Sequence, residues 1–332
     1  MAWLSFGALV AVPVCAGFAG EDDQPMKKAP NRLKYEWLAG LLAWAAQLWM
    51  LKHLPADSYW VVILLLFSAM FLMPLSRRFW DAESHQAWRP EVELGCALLM
   101  AVSFIANSAV YVIPWLLIRS VAAFEAIRNC RKETLEDPAE LPLLCARIFP
   151  AIGAAWLVAH RASWTPWGFD PLIVLLTAAH FHHAGFTLPL MAGLHAKVNP
   201  GCWTRFSCVA ILLGVPLVAA GITCTHFGVL KLVEPLGVAI LVMGALGVAA
   251  SQIRRGLKKQ HTIWSRLGFV ISGASLVVAM VLALSFGIRY LIPNYALTMP
   301  QMWAIHGTLN AFGFGLCGIL AWRGALTRSQ RP

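Results

Sequence analysis

The stretch Phe169-Asp-Pro-Leu-Ile-Val-Leu-Leu-Thr-Ala-Ala-His-Phe-His-His-Ala-Gly-Phe-Thr-Leu-Pro-Leu190 decides what kind of protein this is. It is long and apolar enough to cross a bilayer, which takes about 20 mostly apolar helical residues. Its few polar members fall in a pattern. Thr177, His180, His183 and Thr187 recur at helical spacing and share one face, whereas His182, at about 100° per residue, points away from His180. A helix beginning near Phe169 carries His180 about 16 Å along its axis, to the middle of the membrane. Inside lipid a polar side chain must find a partner, so a histidine cluster at that depth marks a candidate site.

The rest of the chain reads the same way. Of 332 residues, 59% are hydrophobic and 13% charged, against roughly 45–50% and about 25% in a soluble domain. So few charges cannot cover a soluble globule of this size, which excludes an ordinary soluble enzyme and a disordered chain. The formal charge of +10 does not imply nucleic acid as a partner, because surplus Lys and Arg in so apolar a chain mark the sides of a bilayer. The expected fold is all-α: one integral membrane domain over 1–332, a polytopic bundle of nine or ten spanning helices. The apolar segments run at about 2–20, 36–52, 58–75, 94–118, 143–160, 169–193, 206–226, 228–250, 267–288 and 300–322. The first lacks a basic n-region and reads as a membrane helix, with a cleaved leader as the alternative. A charged connector at about 119–141 separates an N-terminal group of helices from a C-terminal one.

Orientation follows from the basic residues. The cluster Arg254, Arg255, Lys258, Lys259 and Arg266, the tail, and the connector fall on one side of a ten-helix chain. The positive-inside rule makes that side, and the C-terminus, cytoplasmic in a cell inner membrane. Counted this way, Lys27, Lys28, Arg32, Lys34, Arg77, Arg78 and Arg89 would face outward. That conflict points to a miscounted early segment.

Other helices carry polar stripes as well. His306, Asn310, Gly313 and Cys317 share one face of the last segment, and Ser103, Asn107 and Tyr111 form a stripe in 94–118. His160, Arg161 and His226 lie near helix ends, His195 reads as interfacial, and His53, His85 and His261 read as loop residues. Glu234 is the one acid near a span interior, which argues against ion-coupled transport. The eight cysteines contain no C-x-x-C pair and read as buried thiols acting as small hydrophobes.

Two elements, His180-Phe-His-His-Ala-Gly-Phe186 and His306-Gly-Thr-Leu-Asn-Ala-Phe-Gly-Phe314, stand in this order with Arg147-Ile-Phe-Pro150 and Leu213-Gly-Val-Pro216. Over about 143–325 this pattern resembles the YndJ-like family of bacterial membrane proteins. His183 stands where the family pattern has an aromatic residue, so the resemblance rests on His180, His182 and His306. It implies a polytopic inner-membrane protein and supplies no reaction.

The residues themselves suggest a membrane-embedded enzyme doing acid–base chemistry on a lipophilic small molecule: isomerisation, dehydration, cyclisation or epoxide opening. Neutral histidine moves protons near neutral pH. His180 or His182 would be the base, His306 the acid or its partner, and Asn310 would orient a substrate oxygen. Thr177, His183, Asn107 and Tyr111 are the candidate substrate contacts. No cofactor is expected. The alternative is a haem or transition-metal protein with His180, His182 and His306 as ligands; a non-catalytic membrane protein or a transporter is a further one.

Overall fold

The computed structural model describes residues 36–80, 90–130, 137, 139–293 and 297–329, without the side chains of 36 and 327–329. The expected segment 2–20, the basic residues Lys27, Lys28, Arg32, Lys34 and Arg89, His85, the connector residues 131–136 and Arg331 lie outside the described residues.

The chain is a bundle of helices, and among the described residues there is no strand. The helices are α1 (Glu36–Met50), α2 (Ala56–Phe79), α3 (Pro90–Ile105), α4 (Ala109–Arg128), α5 (Glu140–Arg161), α6 (Pro171–His183), α7 (Thr187–Val198), α8 (Cys202–His226), α9 (Val233–Leu257), α10 (Ile263–Gly287) and α11 (Met299–Leu326). With α6 and α7 taken together, eight of these are long and apolar enough to cross a membrane. Their starts are chemically marked. The Asp170 carboxylate accepts from the Leu172 amide at 2.8 Å ahead of Pro171. Thr262 caps α10, and Thr298 with Gln301 forms a reciprocal box at the start of α11.

The segment expected as one span at 94–118 is two helices. α3 ends at Ile105, and Asn107 turns the chain with φ +48°, a left-handed value that Asn tolerates better than most residues. The stripe Ser103–Asn107–Tyr111 is therefore broken. Hydrophobicity alone hid the turn, because Ala106 and Ala109 flank it. α4 carries on to Arg128, so the first part of the expected connector is helix. At 16 residues α3 is about 24 Å long, short of a full hydrocarbon layer.

This extra reversal settles where the basic residues lie. Glu93, at the start of α3, pairs with Arg77 at the end of α2 and with Arg119 of α4. Arg323 donates to the Leu75 carbonyl at 2.6 Å, and Lys197 pairs with Glu140 at 2.8 Å. These ties put the end of α2, the start of α3, the start of α5 and the ends of α7 and α11 together. Arg77, Arg78, Arg128, Lys197, Arg254, Arg255 and Lys258 thus crowd one end of the bundle. The opposite end, where Asn107 meets Arg161 and Arg289 meets Glu234, has Lys52, Lys231 and those two arginines as its basic residues among those described.

The helices pack as membrane helices do, through small residues. Ser207, Gly214 and Gly221 recur every seven residues along α8, facing α9. A methyl group on Gly214 would fall 2.7 Å from Leu241 Cα, and one on Gly221 would fall 2.3 Å from Glu234 Cα. Any side chain there would force the two helices apart.

Candidate functional site

The histidines of α6 sit between α2 and α4 on one side and α11 on the other. Two of these neighbours are wound irregularly. α2 opens into a π-turn over Ser68–Leu72, and α11 does so at Met302–His306 and again at Leu309–Leu316. π-turns cost regular hydrogen bonding and are frequent at functional sites. α6 itself stops at His183, and residues 184–186 break the helix before Thr187. The run of one face expected from Thr177 to Thr187 is interrupted there, and the Thr187 hydroxyl donates to the His183 carbonyl at 2.7 Å.

Hydrogen bonds separate the histidines by role. His182 is fully buried. The Trp115 indole can only donate, and it lies 3.0 Å from His182 Nε2, so that nitrogen carries the lone pair. Nδ1 therefore holds the proton and donates to the Ala178 carbonyl at 2.8 Å. The Trp115 and His182 rings also stack, with centroids 6.0 Å apart. Space for the imidazole exists because residue 153 is glycine: a Cβ there would meet His182 Nδ1 at 2.6 Å. Both nitrogens of His182 are held in structural bonds.

His183 donates from Nε2 to the Leu64 carbonyl of α2 at 2.7 Å. Among the described residues its Nδ1 lone pair is buried without a partner, an arrangement that costs about 1–3 kcal/mol. On α11, His306 donates from Nδ1 to the Ala279 carbonyl of α10 at 2.8 Å. Its Nε2 then accepts from Asn310 Nδ2 at 3.1 Å, and the same amide nitrogen reaches the His306 carbonyl at 2.9 Å. Reversing the Asn310 amide would set its oxygen against two acceptors, so the orientation is fixed, with Oδ1 turned away from His306.

His180 differs from the rest. It is half-buried, lies within electrostatic range of both His306 and His183, and packs edge-on to Phe181. Among the described residues neither of its ring nitrogens has a hydrogen-bond partner. The structure thus brings His180, His183, His306 and Asn310 into one region. Thr177, one turn away on the same helix, spends its hydroxyl proton on the Ile173 carbonyl at 2.8 Å. Asn107 and Tyr111 do not join them. Asn107 is exposed at the bundle end, where it accepts from Arg161 at 2.5 Å.

Several side chains carry more structural weight than their sequence context indicated. His195 is buried rather than interfacial, edge-on to Trp322 with centroids 4.9 Å apart. His261 is buried against Phe269. Glu234 is paired with Arg289 at 2.5 Å. Trp115 gave no signal at all within an apolar run. Glu93, one residue before the apolar segment expected from 94, was not singled out by the sequence.

The donor set suits a metal poorly. His182 and His306 would each have to give up the hydrogen bond that now fills their lone pair. Among the described residues no three His, Cys, Asp or Glu side chains are grouped to hold an ion.

Residues 63–314 match the family of YndJ-like proteins. The chain belongs to that family. The match reaches further toward the N-terminus than the motifs at 143–325 and takes in the π-turn of α2, the hairpin of α3 and α4, and every histidine of the site. The YndJ-like chain is similar to the uncharacterized membrane protein YndJ of Bacillus subtilis (strain 168), at 28% identity over 233 residues. That match covers 68% of the YndJ-like chain and 40% of its relative, so the chain spans well under two thirds of the relative's length. No solved structure matches it.

Proposed function

We propose that this YndJ-like chain is a membrane-embedded enzyme performing acid–base chemistry on a lipophilic small molecule, with His180 as the base. One observation supports this most directly: His180 alone among the three histidines of α6 keeps both ring nitrogens free of protein partners while remaining partly accessible. Its neighbours are arranged to assist. Asn310, locked by His306, presents an amide oxygen that can orient a substrate hydroxyl, and the unpartnered Nδ1 of His183 can accept a second one. Such a set removes a proton at one position and returns it at another. That is all an isomerisation, dehydration, cyclisation or epoxide opening requires. His182 supports this set through Trp115 and Ala178 without entering the chemistry.

The basic end of the bundle supports a cytoplasmic orientation for the C-terminus in a bacterial inner membrane. With α3 and α4 as separate, antiparallel helices, Arg77 and Arg78 join the cluster around Arg254–Lys258, which removes the conflict these two arginines posed in a ten-segment count.

The test compares lipid-soluble extracts of cells producing the wild-type chain, His180→Gln, or neither, by mass spectrometry at matched membrane abundance. The expected result is a compound or isomer ratio dependent on the wild-type chain, with turnover falling about a hundredfold or more in His180→Gln. Extracts that do not differ between wild type and variant, at equal abundance, remove His180 from the chemistry.

A further inference from the structure

A second polar region lies at the basic end, away from the histidines. A cleft there is lined by Trp80 just past α2, Glu93 of α3, Arg119 and Ala122 of α4, and Ala146 and Arg147 of α5, with Phe186 also on its wall. Its charges do not balance. The Glu93 carboxylate is buried and both of its oxygens are taken, one by Arg77 and one by Arg119. That leaves the Arg119 and Arg147 guanidinium groups on the cleft wall, with Arg77 beside them on Glu93, against one carboxylate. Among the described residues, Nε of Arg77 and Nε of Arg119 are buried N–H donors with no acceptor, and the Arg77 side chain is only 9% exposed. Arg147 has the Trp80 ring 6.0 Å away. Glu125 acts on Arg147 only at longer range, and among the described residues no carboxylate lies within ion-pair distance of it.

Buried donors of one sign call for an acceptor. We propose that this cleft binds a phosphate group, carried by an anionic lipid headgroup or by a free phosphate compound. Guanidinium forks match phosphate oxygens in pairs, and such charge-assisted bonds are about twice as strong as neutral ones. The cleft opens where headgroups of a bilayer would lie around a bundle oriented by its basic end, and Trp80 suits that interface. The site is independent of the histidines: it shares no residue with them and requires no reaction.

The test uses the full-length chain, purified in detergent and stripped of lipid, in native mass spectrometry with phosphatidylglycerol, phosphatidylcholine or inorganic phosphate. The expected result is selective retention of phosphatidylglycerol over phosphatidylcholine, lowered about tenfold or more by Arg147→Gln. Retention that survives millimolar inorganic phosphate identifies a lipid headgroup as the source. Displacement by inorganic phosphate identifies the free group. Ala122→Leu, which fills the cleft without removing a charge, should lower retention as well, and it serves if Arg147→Gln does not fold. Equal retention of both lipids with no phosphate binding overturns the proposal, as does phosphatidylglycerol retention unchanged in these variants.

Discussion

At the scale of single residues, the structure turns a cluster of similar side chains into distinct parts. Trp115 is the clearest case. Replacing it with Phe keeps the ring and removes the one donor to His182 Nε2, leaving a buried lone pair. The expected loss is about 1–3 kcal/mol of stability, read as a lower midpoint of denaturant unfolding in detergent. His180→Gln, by contrast, should leave that midpoint near the wild-type value while removing turnover, because no protein hydrogen bond is lost with His180. Gly153→Ala should destabilise like Trp115→Phe, since its methyl group would fall 2.6 Å from His182 Nδ1. The sequence set the histidines together on one apolar segment and turned His182 away from His180. It could not show which nitrogens were spoken for. That depends on an indole 67 residues away and on the carbonyls of Leu64 and Ala279, which no local pattern reports.

At the scale of elements, length and hydropathy located the six C-terminal spans to within several residues, because each is a long apolar run bounded by charge or turn residues. The same measure failed at 94–118. There the reversal is made by Asn107 within an apolar context, and an interfacial Arg161 supplies its partner. The hairpin predicts an accessible turn. Cysteine placed at Asn107, in a chain otherwise free of thiols, should react with a membrane-impermeant maleimide from the side opposite the basic loops. Protection from both sides would mean that residue 107 lies within the bilayer after all. The π-turns were equally hidden, since hydropathy does not distinguish an i→i+5 turn from regular helix, even though Pro74 and Pro300 stand beside two of them. They also undo the expected stripe on α11: an i→i+5 turn shifts the register, and Gly313 faces Ser275 of α10.

At the scale of the whole molecule, the ends of the bundle are chemically unlike. One is crowded with arginine and lysine; the other closes with the Glu234–Arg289 pair. Arg289→Gln leaves the buried Glu234 carboxylate without its cation and should cost about 3–5 kcal/mol, whereas the added Glu234→Gln should restore much of that loss; unfolding midpoints of the three variants decide it. The feature with the widest reach is the Glu93 carboxylate between Arg77 and Arg119. A chain made from its amino end has Arg77 in place when Glu93 emerges, but Arg119 follows only 26 residues later. A lone carboxylate is costly in lipid, so α3 gains its full partnership only once α4 has been synthesised, and the pair is best delivered to the membrane together. Arg323, reaching the Leu75 carbonyl from 248 residues away, then acts as the final clasp. The ion pairs thereby write a timetable for manufacture into the finished protein, with the hairpin as an early milestone and the last helix as the closing one.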